Sequence, residues 1–139
     1  MTLAVSQVTI DAHDPERLAR WWADVLGWQL VWEPAPDDEE IEIAPPDGAG
    51  TNWLFIRVPD DKMVKNRWHP DLRPGDDSDQ ATELARLLAL GATHVDIGQG
   101  DDVPWHVLAD PEGNEFCVLH RTVSAAAAAL AAELEGRSS

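Results

Sequence analysis

Apolar residues at Leu18, Trp21, Trp22, Val25 and Leu26 recur at the spacing of one helical face, behind Asp14-Pro15 and ahead of Gly27. Asp14 suits an N-cap, Pro15 loses nothing at the first helical position, and Gly27 suits a left-handed stop, so the pattern predicts a capped helix. The arrangement returns 64 residues later (91 − 27), with Ser78 as the cap, Leu84, Leu87, Leu88 and Leu90 as the apolar face, and Gly91 as the stop. Strand-like runs flank both helices: residues 3–10, 28–32, 41–44 and 52–58 in the first half, and 67–72, 94–97, 105–109 and 115–120 in the second. Pro46-Asp47-Gly48 and Pro111-Glu112-Gly113 mark turns before the last strand of each half.

The unit is therefore strand–helix–strand–strand–strand, present twice, over about residues 3–58 and 67–120. Together these predict one α+β domain over residues 1–123, with residues 59–66 as the joining segment. The Ala-rich remainder, residues 124–139, carries Leu130 and Leu134 one helical turn apart and reads as a terminal helix, either a partner-facing element or a frayed extension.

Charge narrows the partners. Lys and Arg number 10 against 26 Asp and Glu, a net charge of −16, which opposes nucleic-acid phosphates and anionic membranes and attracts cations. The single cysteine, Cys117, excludes an internal disulfide framework and fits a reducing compartment. Residues 1–7 show no secretory leader pattern, and the weakly polar stretch 125–132 is too short to span a bilayer; the expectation is a cytoplasmic protein.

Two such units, the helix end Val25-Leu26-Gly27-Trp28, the run Lys65-Asn66-Arg67-Trp68-His69-Pro70-Asp71-Leu72 and the closing Asp110-Pro111-Glu112-Gly113-Asn114-Glu115-Phe116 together resemble the vicinal oxygen chelate superfamily, in particular its glyoxalase-like, bleomycin-resistance-like domains. The resemblance covers about residues 3–120 and implies two βαβββ modules forming a cup-shaped mixed sheet with helices on the convex side. It also implies a homodimer and a ligand inside the cup. Strand alternation on that frame places Val8, Ile10, Trp68, Leu72, Phe116 and Val118 toward the helices, and Gln7, Thr9, Asp11, Arg67, His69, Asp71, Glu115, Cys117 and Leu119 on the concave side.

Metal-dependent members carry His or Glu ligands on the first, fourth, fifth and eighth strands. Carried over, these fall on Gln7, on the ligand-poor run Trp53-Leu54-Phe55-Ile56, on His69, and on Cys117, seven residues after Asp110 (117 − 110). The usual metal set is thus reduced, and the expectation is no metal cofactor; if there is one, it is zinc or a similar divalent ion held by His69, Cys117 and Glu115. The aromatic residues add Trp32, Trp53 and Trp105 on strands of the cup wall for a flat ligand, with Trp21, Trp22, Trp28 and Trp68 as core and His106 or Trp105 open as the cavity-facing one of the pair.

The ligand-binding candidates are Gln7, Thr9, Trp53, His69, Asp71, Trp105, Glu115 and Cys117, for a small cationic or aromatic molecule. Arg57, Arg67 and Arg73 speak for an anionic ligand instead. Three functions stay open: a metal-free small-molecule binder; a lyase, isomerase or dioxygenase-type enzyme with His69 as base and Glu115 or Asp71 as second acid; and a dimerising accessory domain.

Overall fold

A computed structural model describes residues 2–100 and 102–138. Its elements run β1 (Gln7–Ala12), α1 (Pro15–Leu26), β2 (Gln29–Leu30), β3 (Glu40–Ala44), β4 (Asn52–Arg57), β5 (Asp71–Leu72), α2 (Gln80–Leu90), β6 (Thr93–His94), β7 (His106–Ala109), β8 (Glu115–Val118) and α3 (Val123–Ser138). The fold class is α+β: three helices and two mixed four-stranded sheets, in two compact units that divide after Met63.

In the first unit the sheet order is β1-β4-β3-β2, with β1 parallel to β4 and the other pairs antiparallel. The Asp14 carboxylate accepts the Arg17 N–H at 3.2 Å, and Gly27 takes φ +68°, so both caps of α1 form as expected. Leu18, Ala19 and Trp22 of α1 are buried, as are Ile41, Ile43 and Phe55 of the sheet, and the register puts Ile41 beside Phe55 and Ile43 beside Trp53 on one face. Burial of these side chains from water is the main term holding the unit together. Along β1, Ala12 is buried and Ile10 half-buried, whereas Gln7, Thr9 and Asp11 are exposed, in keeping with the expected alternation; Val8 remains 43% exposed near the strand's start.

The second unit repeats the topology, with order β5-β8-β7-β6 and β5 parallel to β8. The Asp110 turn sets the entry of β8: the buried carboxylate accepts N–H groups of Glu112 and Asn114 at 2.9 and 3.0 Å and the Asn114 side-chain amide at 2.9 Å. Gly113, at φ +88°, supplies the left-handed step the turn needs. At the other end of the unit, Asp76 accepts the Ser124 N–H and hydroxyl, fastening the start of α3 to the segment before α2. These bonds hold the Asp76 carboxyl below its usual value.

Several expectations are corrected here. Trp68 is not core: it is 93% exposed, because β5 begins only at Asp71 and the pleat that would turn Trp68 inward is absent. Pro70 explains the shortening, since it has no N–H to give a ladder; its carbonyl still accepts the Cys117 N–H at 3.0 Å. The cap of α2 is Asp79, whose carboxylate accepts the Thr82 N–H at 2.8 Å, rather than Ser78. On α2 only Leu87 is buried; Leu84 is half-buried, and Leu88 and Leu90 are each 37% exposed. Leu90 is the last residue of α2, beside the Gly91 stop, and stays partly open to solvent there.

Candidate functional site

The second unit gathers the chemistry. The β5–β8 register pairs Asp71 with Cys117, so both side chains leave the same face of the sheet from neighbouring strands. His69 stands two residues before Asp71, and its Nδ1 lies 3.0 Å from Asp71 Oδ1. One donor atom from each of His69, Asp71 and Cys117 falls within 4.8 Å of the others. His69 and Asp71 are partly exposed while Cys117 is buried, so the group is open on one side and closed by strand β8 on the other.

Burial pushes the Cys117 thiol up to about 11 from its ordinary value of 9.0, and the Asp71 carboxylate adds to the effect by charge and hydrogen bond; Lys65 opposes it weakly. A thiol and a carboxylate side by side resist becoming two anions. A divalent cation removes that conflict, because it binds the thiolate and the carboxylate together. Imidazole nitrogen, thiolate sulfur and carboxylate oxygen form a borderline donor set suited to zinc, and three protein donors with one open position is the usual arrangement of a catalytic zinc site. The residues present therefore fit such an ion.

Glu115, expected as a third donor, does not join this group. It is buried at 8% exposure, its carboxylate accepts the Asn66 backbone N–H at 3.0 Å, and the Asn66 side-chain amide lies against the Glu115 main chain. Glu115 thus ties the segment leading into His69 to the first residue of β8, a positioning contact across 49 residues. Asp71 takes the place that the sequence alone offered to Glu115.

Trp53 belongs to a packing cluster in the first unit. Its ring meets Trp22 edge-on at 5.2 Å and Trp28 at 5.7 Å, and Trp22 meets Trp21 at 5.1 Å. The ring is therefore on the α1 side of its sheet, as core alternation with Phe55 requires, and not on a ligand-facing wall. Gln7 and Thr9 are exposed on the opposite face of β1. Arg57 lies 3.6 Å from Glu39 and donates to the His13 carbonyl, and Arg73 donates to the Arg121 carbonyl, so two of the three arginines serve local structure.

Trp105 lines a second feature that the sequence did not bring together. A cavity of about 410 Å³ lies at the loop end of the β6–β7 hairpin, and both members of the undecided pair, Trp105 and His106, border it, with His94. The two imidazoles face each other edge-on with ring centres 6.2 Å apart. Their meeting depends on the β6–β7 register, which places His94 opposite Leu108 and so diagonal to His106. No count of residues along the chain supplies that register.

Among the described residues no helix is long and apolar enough to cross a membrane. Comparison with solved structures finds FosX, a fosfomycin resistance protein from Mesorhizobium loti, at 17% identity and TM-score 0.64, over 92% of this chain and 99% of that one. Glyoxalase I of Leishmania major, described as trypanothione-dependent, aligns at 12% identity and TM-score 0.66 over 99% of both chains. A variant of FosX from Listeria monocytogenes, complexed with Mn(II) and 1S,2S-dihydroxypropylphosphonic acid, aligns at 13% identity and TM-score 0.66, over 89% of this chain and 94% of that one. At these identities the likeness shows the fold. No significant match to a curated protein was found. The family model described as "Glyoxalase-like domain" matches residues 7–119, which is most of the chain and spans both repeats. The chain belongs to the glyoxalase-like domain family of the vicinal oxygen chelate superfamily.

Proposed function

We propose that this chain binds a small molecule at a centre made by His69, Asp71 and Cys117, and that the centre holds a zinc-like divalent cation. The observation that carries the reading is the convergence of the three donor atoms within 4.8 Å, from residues on two paired strands and the approach to one of them. The set differs from the superfamily's usual ligands, since Asp71 supplies an aspartate donor two residues after His69. Support also comes from the fold of a FosX variant described with Mn(II). A cation here would act as a Lewis acid toward an oxygen-bearing ligand. His69 and Asp71, on the open side, would contact that ligand, while Asn66 and Glu115 fix the approach to His69.

The test is elemental analysis of untagged protein after incubation with zinc and desalting. About one equivalent retained by the parent, and lost in His69→Ala and in Cys117→Ser, is the expected result. Near-normal retention in both variants places the metal elsewhere and overturns the assignment.

A metal-free reading has its own observation, the 3.0 Å contact of His69 Nδ1 with Asp71 Oδ1. With Nδ1–H donated to the carboxylate, the other ring nitrogen is oriented to take a proton from a ligand, while Cys117 stays a neutral thiol. Absence of retained metal in the parent favours this reading over the first.

A further inference from the structure

The cavity at the end of the β6–β7 hairpin stands apart from the His69 group by the geometry of the sheet. Cys117 pairs with Asp71 on one side and with Val107 on the other, so these three share a face. His106 pairs with Val118, which pairs with Leu72, and His94 pairs with Leu108; these belong to the opposite face. The His94–His106 pair therefore lies on the face opposite Asp71 and Cys117, while Val107 borders the cavity from the Cys117 face; what sets the cavity apart from His69 and Asp71 is the strand order, with β5 at one edge of the sheet and β6 at the other.

The chemistry of the cavity is aromatic and anionic. Trp105, 37% exposed, offers a large ring at the rim, with the two imidazoles beside it. Val95, Val103 and Val107 supply apolar lining. Among the described lining residues Asp96 is the one carboxylate and there is no Lys or Arg, so the fixed charge there is negative. Asp96 Oδ1 accepts the Gly98 N–H at 2.8 Å, which orients the carboxylate. Gln99 is used up in holding the loop, accepting from Ile97 N–H and donating to the Val95 carbonyl. Gln80 of α2 donates to the Pro104 carbonyl at 2.9 Å and to the Val118 carbonyl at 3.1 Å, which ties the residue preceding Trp105 to the sheet. A metal is not the natural occupant, because His94, His106 and Asp96 do not converge as His69, Asp71 and Cys117 do.

We propose that this cavity, lined by Trp105, His94, His106 and Asp96, is a second binding site, for a planar aromatic molecule bearing a positive charge. The ring faces supply stacking and cation–π attraction, and Asp96, within a chain of net charge −16, supplies the charge preference. A volume of about 410 Å³ suits one or two fused rings with substituents.

The probe is 1-methylquinolinium, titrated into isotopically labelled protein and followed by two-dimensional NMR. The same titration uses neutral quinoline and anionic naphthalene-2-carboxylate. Saturable shifts of the Trp105 indole N–H and of the Gly98, Gly100 and Val107 amides are expected with the cation, with weaker binding of quinoline and weakest of the carboxylate. Trp105→Leu should weaken the cation by about tenfold. Asp96→Asn should weaken it by about threefold and leave quinoline unchanged, a readout that holds even if the tryptophan variant fails to fold. No saturable shift at these groups, or equal affinity for cation and carboxylate, overturns the proposal.

Discussion

Cys117 shows how one side chain reports on the whole candidate centre. Its thiol holds its proton up to about 11, through burial first and Asp71 second. In the unfolded chain the same thiol ionises near 9.0. Between these values the unfolded state has lost the proton and the folded state keeps it, so the unfolded state binds fewer protons and stability falls as pH rises. The contribution is fully present below about 9 and gone above about 11. Urea denaturation of the parent should therefore show a midpoint that drops across this window relative to Cys117→Ala, measured under the same conditions. Asp71→Asn should narrow the window by bringing the folded value down. A parent-to-variant difference that stays level across the window would show that the thiol is not sheltered. Zinc reverses the sign of the problem: it favours the thiolate, so a bound ion should release a proton and remove the alkaline loss. His69 and Cys117 were visible as site residues from their places in the motifs, but Asp71 as the third donor was not. The choice between Asp71 and Glu115 turns on Asn66, which captures the buried Glu115 carboxylate from a distant part of the chain.

At the scale of elements, the two helices show what capping and periodicity convey. Asp14, Pro15 and Gly27 bound α1 because each satisfies a local backbone requirement that no tertiary contact has to supply. At α2 the expected cap was Ser78, but Asp79 beside it is as good a cap in isolation. The structure chooses Asp79, with its carboxylate on the Thr82 N–H and its pKa lowered by that bond. Asp79→Ala should lower the midpoint of urea denaturation, and Ser78→Ala should leave it close to the parent's. Equal losses, or a larger loss at Ser78, would return the cap to the residue first expected. Strand ends were less legible than helix ends. β5 shrinks to Asp71–Leu72 because Pro70 interrupts the ladder, and alternation counted back through it sends Trp68 the wrong way. On β4 the alternation serves the core: Phe55 faces α1, and Trp53, two residues before it, does the same. A tryptophan on a strand is thus assigned to wall or core by its buried neighbours, which the composition does not reveal.

The whole molecule is a repeat whose two copies have diverged in what they carry. Both keep a four-stranded mixed sheet and a glycine-stopped helix; the spacing conveyed the order of elements and the stops, and the mixed sheet came with the family resemblance. The first unit has the tryptophan cluster and the second has the donor group and the hairpin cavity. Over both lies a net charge of −16, with acidic runs at residues 37–40 and 76–79 and few cations to offset them. Ion pairs such as Arg20–Glu16 at 3.2 Å and Arg86–Glu83 at 3.3 Å join partly exposed groups, so each contributes little. The dominant surface term is then repulsion among like charges, which the folded state concentrates and the unfolded chain relieves. Screening acts on it directly: the Debye length falls from roughly 30 Å at 0.01 M salt to roughly 8 Å at 0.15 M. Sodium chloride added over that range should raise the thermal midpoint of unfolding by calorimetry, with the steepest gain at the low end. If the exposed ion pairs governed instead, screening would weaken them and the midpoint would fall. A falling midpoint would show that local pairing, rather than the summed charge, sets the electrostatic contribution to this fold.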